Sequence, residues 1–88
     1  MKIADGFVLS KMRDTAIVIP VGSKTINFKS VISLNETGEF LWKQLSTDKT
    51  EQELVLALMK EYETDEETAK GDVIAFINTL KNKNLLEL

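Results

Sequence analysis

Fourteen carboxylates, eleven basic side chains and one tyrosine hold all the ionisable side-chain chemistry of this sequence, which contains neither cysteine nor histidine. Without thiolate or imidazole, zinc sites of the usual sulfur and nitrogen kind are excluded. Thiol nucleophiles, Ser–His pairs and imidazole acid–base catalysis are excluded with them. Carboxylates could still act as a pair, if held over one pocket with their pKa values pushed apart. The acids here do not fall that way: Glu36 and Glu39 sit at one helix start, and Asp65, Glu66 and Glu67 at another. In those places they answer the positive end of the helix dipole. The glycines stand at 6, 22, 38 and 71, too far apart for a loop that cradles phosphate. The chain is expected not to be an enzyme and to carry neither cofactor nor metal.

Charge bears on the next class. Nucleic-acid affinity is built mainly from Lys and Arg on phosphates, whereas this sequence has a net charge of −3. A winged-helix DNA-binding regulator is the alternative that the element pattern invites. Its reading helix would carry Lys70, Lys81 and Lys83 but would open on Asp65, Glu66 and Glu67, at the end that should enter a groove. Nucleic acid is therefore not an expected partner. Membrane is not one either, because no run approaches the roughly 18 apolar residues a span requires. The opening "MKIADG" has no apolar core of a signal peptide, so a cytoplasmic protein is expected.

The elements that position these residues follow from hydrophobic rhythm. With 88 residues, 43% of them hydrophobic and 28% charged, the chain fits one folded domain over 1–88. Residues 7 to 34 read as strands. "FVLSKM" is followed by a polar "RD" turn, and "TAIVIPV" is a β-branched run closed by Pro20 and Gly22. "TINFKSVISL" alternates again, with a kink expected near Lys29–Ser30. An up-down-up antiparallel sheet of three strands results.

From Asn35 the period becomes 3.6. Asn35 is a good N-cap, and Gly38, Leu41, Trp42 and Leu45 share a face, with Phe40 roughly opposite. Gly38 inside a helix costs stability unless a neighbour approaches closely, so a close approach is expected there. "TEQE" opens the second helix as a capping box from Thr50 to Glu53, with Leu54, Val55, Leu58, Met59 and Tyr62 as its stripe. "TDEE" promises the same from Thr64 to Glu67 for the third, whose stripe is Ala69, Val73, Phe76, Ile77 and Leu80. Asn84 suits a left-handed end, and "LLEL" is expected to be extended or frayed. The fold class is α+β and winged-helix-like: a three-stranded antiparallel sheet followed by three α-helices.

A sheet of three strands has an outer margin, and such a margin is a template for another strand. An extended peptide can add itself there, with backbone hydrogen bonds for affinity and side-chain pockets for selection.

At this point the residues resemble a known family. Leu34, Asn35, Thr37, Gly38, Leu41, Trp42 and Leu45, then Thr50 and Tyr62, then Asp72, Val73, Phe76, Leu80, Leu85 and Leu86 are similar to the motif set of the PqqD family. The family's Asp-Gly after the first helix is "STD" here, and its Gly at the last helix end is Asn84. The resemblance implies a peptide chaperone, or recognition element, for ribosomally made peptides that are later modified. It implies two partners: the leader of a precursor peptide, held along the third strand against the third helix, and a maturation enzyme, often a radical SAM protein. Pyrroloquinoline quinone biosynthesis is the founding pathway, with the quinone not itself bound as a cofactor. The groove residues expected on this basis are Ile26, Phe28, Val31 and Ile32 on the strand, and Asp72, Phe76, Thr79 and Lys83 on the helix. "LNETG" is expected to shape the groove without touching the ligand.

Overall fold

The computed structural model describes residues 1–22 and 32–87. Its elements run β1 (Lys2–Ile3), β2 (Phe7–Met12), β3 (Thr15–Pro20), β4 (Ile32–Leu34), α1 (Glu36–Gln44), α2 (Glu51–Tyr62), α3 (Glu66–Asn82) and β5 (Leu86–Glu87). The expected three-stranded antiparallel sheet is present in the order β2-β3-β4, with three helices after it. The α+β class stands. The kink near Lys29–Ser30 and the earlier part of the third strand lie outside the described residues.

Strand register explains what the sheet buries. Leu9 stands opposite Val18, and Val18 opposite Ile32. Opposed residues share a face, so these three point together toward the helices. Val18 and Ile32 join the core, and Leu9 packs against it. The other face carries Val8 opposite Ile19, both exposed. Arg13 and Asp14 form the two-residue turn, with Arg13 at φ 60° in a place that favours glycine.

Each helix begins on the residue that can satisfy its open N–H groups. The Asn35 Oδ1 accepts from Gly38 N–H at 2.7 Å. Thr50 and Glu53 form the full reciprocal box. The third helix departs from expectation, because its cap is Asp65 and not Thr64: Asp65 Oδ1 accepts from Thr68 N–H at 2.7 Å. Asp is the stronger capping residue of the two. Starting one residue later puts Thr68 in the third helical position, where it cannot return the bond, so no box forms.

The stripes bury from Leu41, Trp42 and Leu45 through Leu54, Val55 and Leu58 to Ala69, Val73, Phe76, Ile77 and Leu80. The expected stripe of α2 stops short, with Met59 half-buried and Tyr62, the last residue of the helix, exposed. Phe40 is half-buried and meets Tyr62 edge-on, ring centres 5.7 Å apart. Leu56 stays exposed. At the end of α3, Asn84 takes φ 60°, Asn84 N–H donates to Lys81 C=O and Leu85 N–H to Leu80 C=O. That is a Schellman closure, with buried Leu80 and Leu85 as its apolar contact. It aims the chain end back at the start, so the residues expected to be extended or frayed include a strand. Leu86 and Glu87 pair antiparallel with Ile3 and Lys2.

Candidate functional site

The register decides where the sheet has main-chain groups to spare. Val21 N–H donates to Gly6 C=O at 2.8 Å, which makes that pair hydrogen-bonded. Such pairs alternate along an antiparallel ladder. Counting back, Ile19 and Ile17 turn their N–H and C=O toward β2, so Ala16 and Val18 turn theirs toward β4. Their partners there are Leu34 and Ile32. Ser33, between them, must direct its own N–H and C=O away from β3. No strand among the described residues pairs with that side of β4.

Beside this margin lies a cleft of about 310 Å³, between β4, the start of α1 and one flank of α3. Leu34, Leu41 and Phe76 give it an apolar floor, and small Gly38 and Ala75 keep it open. Asp72 and Thr79 stand on the α3 side; Ser33, Asn35 and Thr37 stand on the other. The Thr79 hydroxyl donates to Ala75 C=O at 3.0 Å, which leaves its lone pairs for a guest. The Asn35 oxygen is committed to Gly38 N–H, which leaves its amide N–H groups as donors. The Asp72 carboxylate is exposed and has no ion pair or hydrogen bond among the described residues. Polar groups that can be met, above an apolar floor, suit binding.

A second trough adjoins the first through the shared Leu34 and Asn35, and holds Lys11, Asp14, Glu36 and Glu39. Lys43 lies 3.0 Å and Lys11 3.3 Å from the Glu39 carboxylate. The Lys43 ammonium above all, with Lys11 assisting, holds that carboxyl below its ordinary pKa. A larger depression at Lys2, Ser46, Thr47, Asp48 and Glu87 has no apolar floor, which makes it the weaker candidate. Among the described residues, no group of three or more acids is placed to hold a metal.

Of the expected groove residues, Asp72, Phe76 and Thr79 are brought together in the cleft. Ile32 is buried, its side chain in the core beneath the margin. Lys83 caps the end of α3 and does not line the cleft. Ile26, Phe28 and Val31 lie outside the described residues. From "LNETG", Leu34, Asn35, Thr37 and Gly38 form a wall of the cleft, and so shape it as expected. Ser33 and Ala75 were missed. Ala75 was detectable, because it follows Asp72 by three positions and precedes Thr79 by four, on one helix stripe. Asp65, Glu66 and Glu67 do crowd the start of α3, and nothing here favours a DNA-reading helix.

Comparison with known proteins gives two matches. The family model described as coenzyme PQQ synthesis protein D (PqqD) matches residues 16–86. Among solved structures, the chain is similar to "TbiB1 in Complex with the TbiA(beta) Leader Peptide", with a TM-score of 0.77 and 30% identity. That alignment covers 99% of this chain and 95% of the other. No match was found among curated proteins.

Proposed function

The chain belongs to the PqqD family, and we propose that it is a non-catalytic carrier that captures the leader of a ribosomally made precursor peptide and presents it to a modifying enzyme. The observation that carries this reading is the open side of β4 beside the cleft. Ser33 offers a donor and an acceptor to a guest strand, and the floor of Leu34, Leu41 and Phe76 offers a pocket for its side chains. The likeness to a protein in complex with a leader peptide supports a leader as the guest. Binding would leave the chain's covalent structure untouched, with chemistry supplied by the partner, for which a radical SAM protein is the expected class. The cytoplasm is where such precursors leave the ribosome, and the reading places the protein there. Among the described residues, no helix is long and apolar enough to cross a membrane.

The test is a titration of isotope-labelled protein with the short peptide encoded beside its gene. Micromolar affinity, about −8 kcal/mol, is the expected scale for this mode. Amide shifts should concentrate at Ser33 to Gly38 and Asp72 to Thr79. Shifts confined to α2, or to the depression at Asp48 and Glu87, would overturn the reading, as would no shift at all.

A further inference from the structure

Resting on that reading, we infer that the guest strand is registered on the main chain of Ser33, and that its cleft-facing residues include an apolar one over Phe76 and a basic one at Asp72. The register follows from the ladder. Ser33 is the described residue of β4 whose N–H and C=O face the open side. A guest residue that exchanges both bonds with Ser33 stands directly opposite it and shares its face. Ser33 points outward with Ile17, which stands opposite it. The guest residue therefore also points outward, toward solvent. Both its neighbours turn to the inner face, the side of Ile32 and Leu34, and enter the cleft. Selection then acts on alternate residues of the guest, while the ones between are free for the modifying enzyme to read.

The charge follows from the lining. Among the described residues, Asp72 is the one ionisable side chain that lines the cleft, and it has no cation within ion-pair distance. The adjoining trough adds Asp14, Glu36 and Glu39 against Lys11, and both Lys11 and Lys43 are already bound to Glu39. Asp72, Asp14 and Glu36 thus leave the track acidic on balance among the described residues. A guest carboxylate entering it would meet like charge, whereas a Lys or Arg would gain a charge-assisted hydrogen bond beside a low-dielectric floor. Because inward positions alternate, the basic and apolar residues must be separated by an even number of positions.

The probe is a displayed library of short random peptides, selected on the full chain and on Asp72→Asn and Asp72→Lys. Asp72 is exposed, so both variants should fold. The wild type should enrich Lys or Arg at even spacing from an apolar residue. Asp72→Asn should bind those peptides about tenfold more weakly, the weight of one charged hydrogen bond. Asp72→Lys should select Asp or Glu at the same place. Enriched peptides that lack a basic residue, or that are identical for wild type and Asp72→Lys, would overturn this charge selection while leaving peptide capture intact. No enrichment by the wild type would overturn both. The register is tested without substitution, by amide hydrogen exchange. Ser33 N–H should exchange freely in the unliganded protein and slow when an enriched peptide is added, with Ile32 and Leu34 protected throughout. A Ser33 amide already protected without peptide would overturn the register.

Discussion

Gly38 shows how one residue ties the fold to the site. A Cβ built on it would stand 3.1 Å from Asn35 Oδ1, 3.4 Å from Leu34 Cβ and 3.5 Å from Phe76 Cε1. The first distance is tight and concerns the oxygen that caps α1. Gly38→Val should therefore lower stability by more than about 1 kcal/mol through overpacking, measured by urea denaturation. It should also weaken peptide binding, because Leu34, Gly38 and Phe76 all line the cleft. Unchanged affinity in the folded variant would mean that the guest runs elsewhere. A glycine inside an otherwise good helix was legible as a close approach. That the neighbour would be Phe76, 38 positions away, was not, since local periodicity carries no information about which helices meet. The same limit hid Ser33: its side chain is unremarkable, and its value lies in the direction of its main chain, which only the strand register reveals.

At the scale of elements, the helix starts were legible because capping is local chemistry written within four residues. Thr50 and Glu53 pair as their spacing promised. The third start was displaced because "TDEE" offers capable caps at adjacent positions, and the approach of the chain selects Asp65. These starts make stability depend on pH. Bonds to Thr50 hold Glu53 below its ordinary 4.5, bonds to Thr68 hold Asp65 below 3.8, and Lys43 and Lys11 hold Glu39 below 4.5. A carboxyl depressed in the folded state gives stability that is fully present above its unfolded pKa. That stability is lost as pH falls through the folded value. Melting temperature should thus be level near neutrality and decline once pH passes below the ordinary carboxylate values. Glu53→Gln should be less stable than wild type near neutrality and show a shallower acid decline. Thermal melts across pH check both, and an acid limb identical in the variant would remove Glu53 from the account.

On the scale of the whole molecule, the least legible feature is the closure of the two chain ends. Strands of two residues have no period, so nothing in "MKIADG" or "LLEL" announces that β1 and β5 will pair. What joins them is non-local: Ile3 N–H donates to Leu45 C=O at 3.0 Å, Ala4 N–H to Leu85 C=O at 2.8 Å, and Lys49 N–H to Met1 C=O at 2.8 Å. Leu85 is the apolar anchor of this closure, fully buried, and neither it nor its partners line the cleft. Leu85→Ala should cost about 2–5 kcal/mol. The total for 88 residues is roughly 4–13 kcal/mol, so the loss could consume much of the margin. Yet the cleft is built by β4, α1 and α3, and its geometry should survive in every molecule that remains folded. Peptide binding only the folded state adds stability by mass action, about 2.7 kcal/mol at a hundredfold excess over Kd. Saturating peptide should therefore raise the urea midpoint of Leu85→Ala in proportion, with wild-type affinity once the unfolded fraction is subtracted. A corrected affinity that falls together with stability would show that the closure of the ends and the groove are one mechanical unit.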